Sequence, residues 1–113
     1  MPFISVKTNQ LINSATETNL KNKFAEAVKI IGKTEDWLML EFQGEKNMYF
    51  RGSSAEGIAF LEVKLYGNPC KLAYEEMTKE LTRIVSVELD MPQSNIYVKY
   101  EPVEVWGYNG KNL

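Results

Sequence analysis

Ile58-Ala-Phe-Leu-Glu-Val-Lys-Leu-Tyr-Gly-Asn-Pro69 is the stretch whose reading decides the fold. From Ile58 to Tyr66 it has the composition of a long strand, with Ala59, Leu61, Val63 and Leu65 on one side and Ile58 and Phe60 on the other. Asn68-Pro69 then offers an N-cap followed by proline at a first helical position. Ala73, Met77, Leu81, Ile84 and Val85 recur at helical spacing, and the helix is expected to end near Leu89 because Pro92 blocks its continuation. Asn95 to Glu101 alternates again, Ile96, Val98 and Tyr100 opposing Tyr97 and Lys99. The second half is therefore a strand, a helix and a strand.

The first half has the same order. Pro2 to Thr8 reads as a strand, with Ile4 and Val6 opposite Phe3, Ser5 and Lys7. Ser14-Ala-Thr-Glu17 has the form of a capping box, and Leu20, Phe24, Ala27, Val28 and Ile31 follow at helical spacing. Gly32 stands where a C-terminal cap belongs, with Lys33 directly after it. Trp37 to Phe42 is an apolar strand, Gln43 to Asn47 a turn, Met48 to Phe50 a short extended piece, and Arg51 to Gly57 a loop. The reading is an α+β fold: two βαβ units forming one mixed four-stranded sheet. Right-handed crossovers put both helices on one face. The strands at 37–42 and 58–66 look apolar on both sides, so the second face is expected to be buried by self-association or by the C-terminal segment folding back.

At 113 residues, 44% of them hydrophobic, the chain is expected to form a single domain over 1–113. Thirteen basic and fifteen acidic residues leave a net charge of −2 without a basic block, which argues against nucleic acid as a partner. No apolar run reaches the length of a membrane helix, and no leader pattern stands at the start, so the expectation is a soluble, cytoplasmic protein, with secretion lacking a signal peptide left open. The chain has no histidine and one cysteine, Cys70. Ser-His-Asp and Cys-His catalysis, most zinc sites and an internal disulfide are thereby excluded, and no metal ligand set is expected. What remains is amine, carboxylate, lysine and tyrosine chemistry.

Met1-Pro2 offers such chemistry. Trimming of Met1 leaves Pro2 with a free secondary amine, and an ordinary α-amino group titrates at about 7.7–8.0. Burial beside cations disfavours its charged form and supplies a base at neutral pH. With Met1 attached, the same nitrogen is a tertiary amide and no base at all.

Met1-Pro2 leading into a strand, Gly32-Lys33, Met48-Tyr-Phe-Arg-Gly-Ser-Ser54, Leu65-Tyr-Gly67, Ile96-Tyr-Val98 and Trp106-Gly-Tyr-Asn-Gly110 together resemble the macrophage migration inhibitory factor family of the tautomerase superfamily, over essentially the whole chain. The resemblance implies a homotrimer with active sites at subunit boundaries and Pro2 as general base of a cofactor-free keto–enol tautomerase, an isomerase acting on a 2-keto acid of the phenylpyruvate kind. It also implies Lys33 as the holder of a carboxylate or carbonyl oxygen, the backbone of Tyr66 or, one residue earlier, Leu65 as an amide donor, Tyr97 as the site tyrosine, and Trp106 and Tyr108, with Trp37, as aromatic walls. Taken singly these residues have plainer uses: a lysine at a helix C-terminus, a tyrosine at an interface, a tryptophan in a core.

Two departures stand out. Lys99 replaces a small amide and shares the strand face of Tyr97, while Lys64 shares a face with Tyr66. Convergence of Lys33, Lys64 and Lys99 would make a more cationic pocket suited to a smaller or more anionic keto acid. Gly57-Ile-Ala-Phe60 replaces the family's Cys-x-x-Cys, so thiol–disulfide activity is expected to be absent. The alternative functional class is a cytokine-like protein whose role is contact with a receptor or other protein partner.

Overall fold

A computed structural model describes residues 1–113. Strand β1 (Pro2–Thr8) leads into helix α1 (Ser14–Ala27), and β2 (Met39–Gln43) returns beside β1. Strand β3 (Ala59–Tyr66), helix α2 (Lys71–Glu88) and β4 (Ile96–Val103) repeat the pattern, and a small hairpin of β5 (Gly107–Tyr108) and β6 (Lys111–Asn112) closes the chain. The sheet order is β2-β1-β3-β4. Pairing is parallel within each βαβ unit and antiparallel between β1 and β3. The expected mixed four-stranded sheet with two helices is the one found. No helix is long and apolar enough to cross a membrane.

Strand alternation sends one set of side chains to the helices. Ile4, Val6, Leu61, Val63 and Leu65 of the sheet meet Leu20 and Phe24 of α1 and Met77, Leu81, Ile84 and Val85 of α2, all with no solvent exposure. Each fully buried side chain of this size is worth about 2 kcal/mol relative to exposure. This layer is the core.

The other face corrects the sequence reading. Leu38, Leu40 and Phe42 pack toward the core, and the far side of the sheet carries cross-strand rows instead: Met39, Phe3, Lys64 and Glu101; then Glu41, Ser5, Glu62 and Lys99; then Gln43, Lys7, Phe60 and Tyr97. Lys7 donates to Glu62 at 2.6 Å, Ser5 to Glu41 at 2.9 Å, and Lys99 pairs with Glu101 at 2.8 Å. That face is a charged ladder with apolar ends, and the strands are not two-sidedly apolar. The C-terminal segment does not cover it either, since all residues from Pro102 onward except Trp106 are exposed.

Helix boundaries differ from the sequence reading through local side-chain contacts at both helix starts. Asn13, not Ser14, caps α1, its Oδ1 accepting from the Thr16 N–H at 2.8 Å. Asn68 does not cap α2, whose N-cap is Cys70, because the Asn68 Oδ1 accepts from the Tyr74 hydroxyl at 2.8 Å. Strand β2 starts at Met39, since Glu35–Trp37 closes a 3-10 turn through Leu38 N–H to the Glu35 carbonyl at 3.1 Å. Met48 to Phe50 joins no sheet in this chain; Phe50 pairs only with Ser53 across a tight turn. Gly32 behaves as read, ending the first helical segment at φ 73°, a conformation that glycine adopts without strain.

The cap assignment is testable. Asn13→Ala is expected to lower stability by about 1 kcal/mol, while Ser14→Ala stays within a few tenths. Equal losses in urea melts would restore the capping-box reading.

Candidate active site

The first residues of β1 lie antiparallel to the last residues of β3, Pro2 opposite Leu65. This brings the chain's beginning against the Tyr66-Gly67 turn. The Tyr66 N–H donates to the Met1 carbonyl at 3.3 Å, and the Lys33 ammonium donates to the Tyr66 carbonyl at 2.8 Å. Lys33 is aimed there by the helix end before it, where Gly32 N–H and Lys33 N–H bond to the Lys29 and Val28 carbonyls, both at 3.0 Å. Gly67 turns at φ 88° and bonds to the Val103 carbonyl at 3.0 Å, and a Cβ on it would sit 4.0 Å from Lys33 Nζ. Three groups, the Met1 and Val103 carbonyls and the Lys33 ammonium, thus meet the backbone of Tyr66 and Gly67.

Beside them opens a cavity of about 380 Å³ lined by Met1, Pro2, Phe3, Trp37, Trp106 and Tyr108 among others. The rings of Trp37 and Tyr108 meet edge to face, centroids 5.1 Å apart. Tyr108 is carried by the β5–β6 hairpin, which reverses through Asn109-Gly110 with both residues at positive φ. That dipeptide is a strong hairpin signal which the sequence reading left unused. Asp36 also lines the cavity and was not anticipated. No group of three or more Cys, Asp or Glu side chains is placed to hold a metal ion.

The electrostatics favour a neutral amine. Burial first, and the Lys33 ammonium second, hold the Met1 α-amino group below its ordinary value. Pro2 is itself buried.

The remaining expected residues lie elsewhere in the chain. Tyr97 is level with Phe60 and Lys7 while Pro2 is level with Leu65 and Pro102, a separation of five residues along the sheet, or about 17 Å at strand rise. Tyr97 packs against Phe50 and Phe60, with centroids at 5.3 and 6.3 Å. Lys99 is held by Glu101, and Lys64 lies 4.0 Å from Glu62 on the outer face. Lys33, Lys64 and Lys99 therefore do not converge within one chain, because two of them stand on the far side of the sheet beside carboxylates. Pro2, Lys33, the Tyr66 backbone, Trp106 and Tyr108 are brought together, along with Trp37. Between Leu65 and Tyr66, it is the Tyr66 amide that faces the Met1 carbonyl.

The sequence model of the macrophage migration inhibitory factor family matches residues 1–113, and the chain belongs to that family. It is similar to the macrophage migration inhibitory factor homolog of Brugia malayi, 25% identical over 115 residues that cover 100% of this chain and 99% of the relative. The crystal structure of Leishmania major MIF2 superposes with a TM-score of 0.93 at 26% identity, covering 100% of this chain and 97% of that one. A structure described as the Q0 fused 4-OT wild type symmetric trimer shares the fold, with a TM-score of 0.82 at 19% identity over 97% of this chain and 94% of its own.

The electrostatic reading predicts that Lys33→Met raises the titration point of the Met1 amine only part of the way, since burial is the larger cause and is untouched. Nitrogen-15 NMR titration of the Met1-bearing protein measures it. An unmoved titration point would show that Lys33 does not act on the amine.

Proposed function

We propose that the chain, once Met1 is removed, is a cofactor-free keto–enol tautomerase for 2-keto acids, with Pro2 as general base. The observation that carries this is the Met1 carbonyl on the Tyr66 N–H. That oxygen is bonded to the carbon attached to the Pro2 nitrogen, so excision of Met1 does two things at one place. It converts the amide nitrogen to a secondary amine and leaves the Tyr66 N–H without an acceptor. An orphan donor beside a base is suited to a substrate oxygen.

The chemistry balances without another reagent. The Pro2 amine takes a proton from the carbon next to the keto group, the C–H electron pair becomes the C=C bond, and the carbonyl pair moves onto oxygen. The Tyr66 N–H stabilises that oxygen as charge grows. Return of the proton to oxygen gives the enol. Lys33 has N–H groups left after its bond to the Tyr66 carbonyl and holds the substrate carboxylate. The aromatic walls take the substrate's ring.

Tyr97 and Lys99 enter this scheme only from a second copy, since they stand five residues away along the sheet in their own chain. Three copies in a ring supply each site with the outer end of a neighbour's β4, and the trimer described for a structure of the same fold supports that assembly. Strands β2 and β4 are edges with unpaired backbone, and Met39 and Tyr97 are 66% and 56% exposed, which gives the contact its apolar part.

Two outcomes test the reading. Met1-free protein is expected to deplete the enol of phenylpyruvate in the ultraviolet, Pro2→Gly to retain part of that rate through its primary amine, and Met1-bearing protein to be slower by about 10²- to 10⁴-fold. Equal rates with and without Met1 would remove Pro2 as the base. Light scattering is expected to give three times the chain mass at micromolar concentration, and a monomer mass would sink the shared site. A trimer without turnover would transfer the family role to binding a protein partner.

A further inference from the structure

Tyr97 stands on β4, an edge strand, 56% exposed, and no hydrogen bond within the chain fixes its hydroxyl. Its ring is held by rings alone. Phe60, its strand partner on β3, meets it edge to face with centroids 6.3 Å apart, and Phe50 meets it edge to face at 5.3 Å from the loop that follows β2. Phe50 is itself held by a strained turn. The Phe50 N–H donates to the Ser53 carbonyl at 2.8 Å and the Ser53 N–H to the Phe50 carbonyl at 3.0 Å, enclosing Arg51 at φ 52° and Gly52 at φ 76°. Glycine, asparagine and aspartate suit the first of these positions, and a long side chain there carries a backbone cost. Arg51 occupies it with its guanidinium carbon 4.8 Å from the Phe50 centroid, so the turn sets a cation over that ring. The far end of the loop is tied to the same end of the sheet. Buried Asn95, two residues before Tyr97, donates to the Gly57 carbonyl at 2.9 Å, and Asn9 donates to the Glu56 carbonyl and accepts from the Ile58 N–H, both at 2.9 Å.

We infer that Phe50 is a positioning residue for Tyr97, setting the angle at which the phenol hydroxyl is presented to a ligand in a neighbouring copy's site, and that Arg51 holds Phe50 in that role. The inference rests on the tautomerase reading for the site that Tyr97 enters, but the clamp on the ring is a property of the single chain. An exposed tyrosine turns among its staggered rotamers unless neighbours exclude them. Phe60 restricts the Tyr97 ring from the sheet and Phe50 restricts it from the loop. The hydroxyl, the one polar atom of the side chain, is left as a donor for a partner outside the chain. A ligand oxygen anchored beside Pro2 and Lys33 gains that hydrogen bond without the cost of ordering the side chain. Loss of Phe50 leaves Tyr97 present but free to turn.

The test uses Met1-free, full-length protein, read by enol turnover of phenylpyruvate, by light scattering for assembly and by NMR of carbon-13-labelled tyrosine. Tyr97→Phe identifies the Tyr97 ring signal and is expected to lower kcat/KM about tenfold through the loss of one hydrogen bond. Phe50→Ala is expected to lower it by a similar factor, about tenfold, when Tyr97 is present and by less than about twofold in the Tyr97→Phe background. Phe50→Tyr, which keeps a ring against Tyr97, is expected to restore the rate to within about twofold of the parent. Arg51→Gly leaves Phe50 in place and suits the positive φ, so the melting temperature is expected to hold while kcat/KM falls about threefold, again only with Tyr97 present. This variant supplies the same cycle if Phe50→Ala fails to assemble. A loss of equal size in both backgrounds, or no loss, would overturn the assignment. Unreactive 3-phenylpropionate separates it from the tautomerase reading. The probe is expected to shift the Tyr97 signal of the parent and to leave it nearly unmoved in Phe50→Ala. A signal that ignores the probe in the parent, or responds equally in both proteins, defeats the positioning role whatever the turnover. A shift lost in Phe50→Ala without any turnover refutes the tautomerase reading and leaves the positioning role standing, and Met1-dependent turnover with equal losses in both backgrounds does the reverse.

Discussion

The antiparallel register of β1 on β3 is the constraint on which the site depends. Pro2 opposite Leu65 puts the start of the chain at the Tyr66-Gly67 turn, where its first carbonyl meets an amide N–H. A slip of one residue would send Ile4 and Val6 to the charged face and lift Pro2 off that turn. The register is enforced from the other side of the sheet, where Ile4, Val6, Leu61, Val63 and Leu65 are wholly buried against the two helices. Core packing thus sets the position of Pro2, since Leu65 is both a wholly buried core residue and the strand partner of Pro2.

The outer face contributes differently. Its ion pairs are partly exposed, the Lys7 and Glu62 side chains retaining 39% and 19% of their surface, and pairs of that kind add little to stability. Glu62 and Glu101 nonetheless sit below the usual carboxylate range, chiefly through their hydrogen bonds to Lys7 and Lys99. Those carboxylates stay ionised to lower pH than free ones, so what the pairs contribute is complete above the ordinary carboxylate range and fades as pH falls through the depressed values. The face carries charge of both signs, Glu41, Glu62 and Glu101 among Lys7, Lys64 and Lys99, with Phe3, Met39, Phe60 and Tyr97 toward its ends.

Much of the fold could be read from the chain because long periodic segments are unambiguous. The two helices, the four strands and the C-terminal glycine of the first helical segment, Gly32, follow from spacing alone. Caps were less legible: Asn13 lies one residue before an apparently better capping box, and Asn68 is diverted by the Tyr74 hydroxyl, a partner six residues away that no local rule weighs. The outer face was misread because β2 and β3 are rich in apolar residues overall, and composition hid Glu41, Glu62 and Lys64 at alternate positions. That Pro2, Lys33 and the Tyr66 turn lie next to one another was legible through their joint pattern. The distance from Pro2 to Tyr97 was not, since it depends on the parallel register of β4 on β3.

Lysine count is a poor guide to pocket charge for the same reason. A strand side chain two residues away shares a face, but sharing a face says nothing about which carboxylates lie on the neighbouring strands. Lys64 and Lys99 stand next to Glu62 and Glu101 in the sheet and are answered there. Lys33 follows a left-handed glycine at a helix end and reaches a backbone carbonyl, so its remaining donors have no competing carboxylate. The positive charge that a single chain places beside Pro2 is therefore built by a helix terminus, and strand side chains add to it only across a subunit boundary.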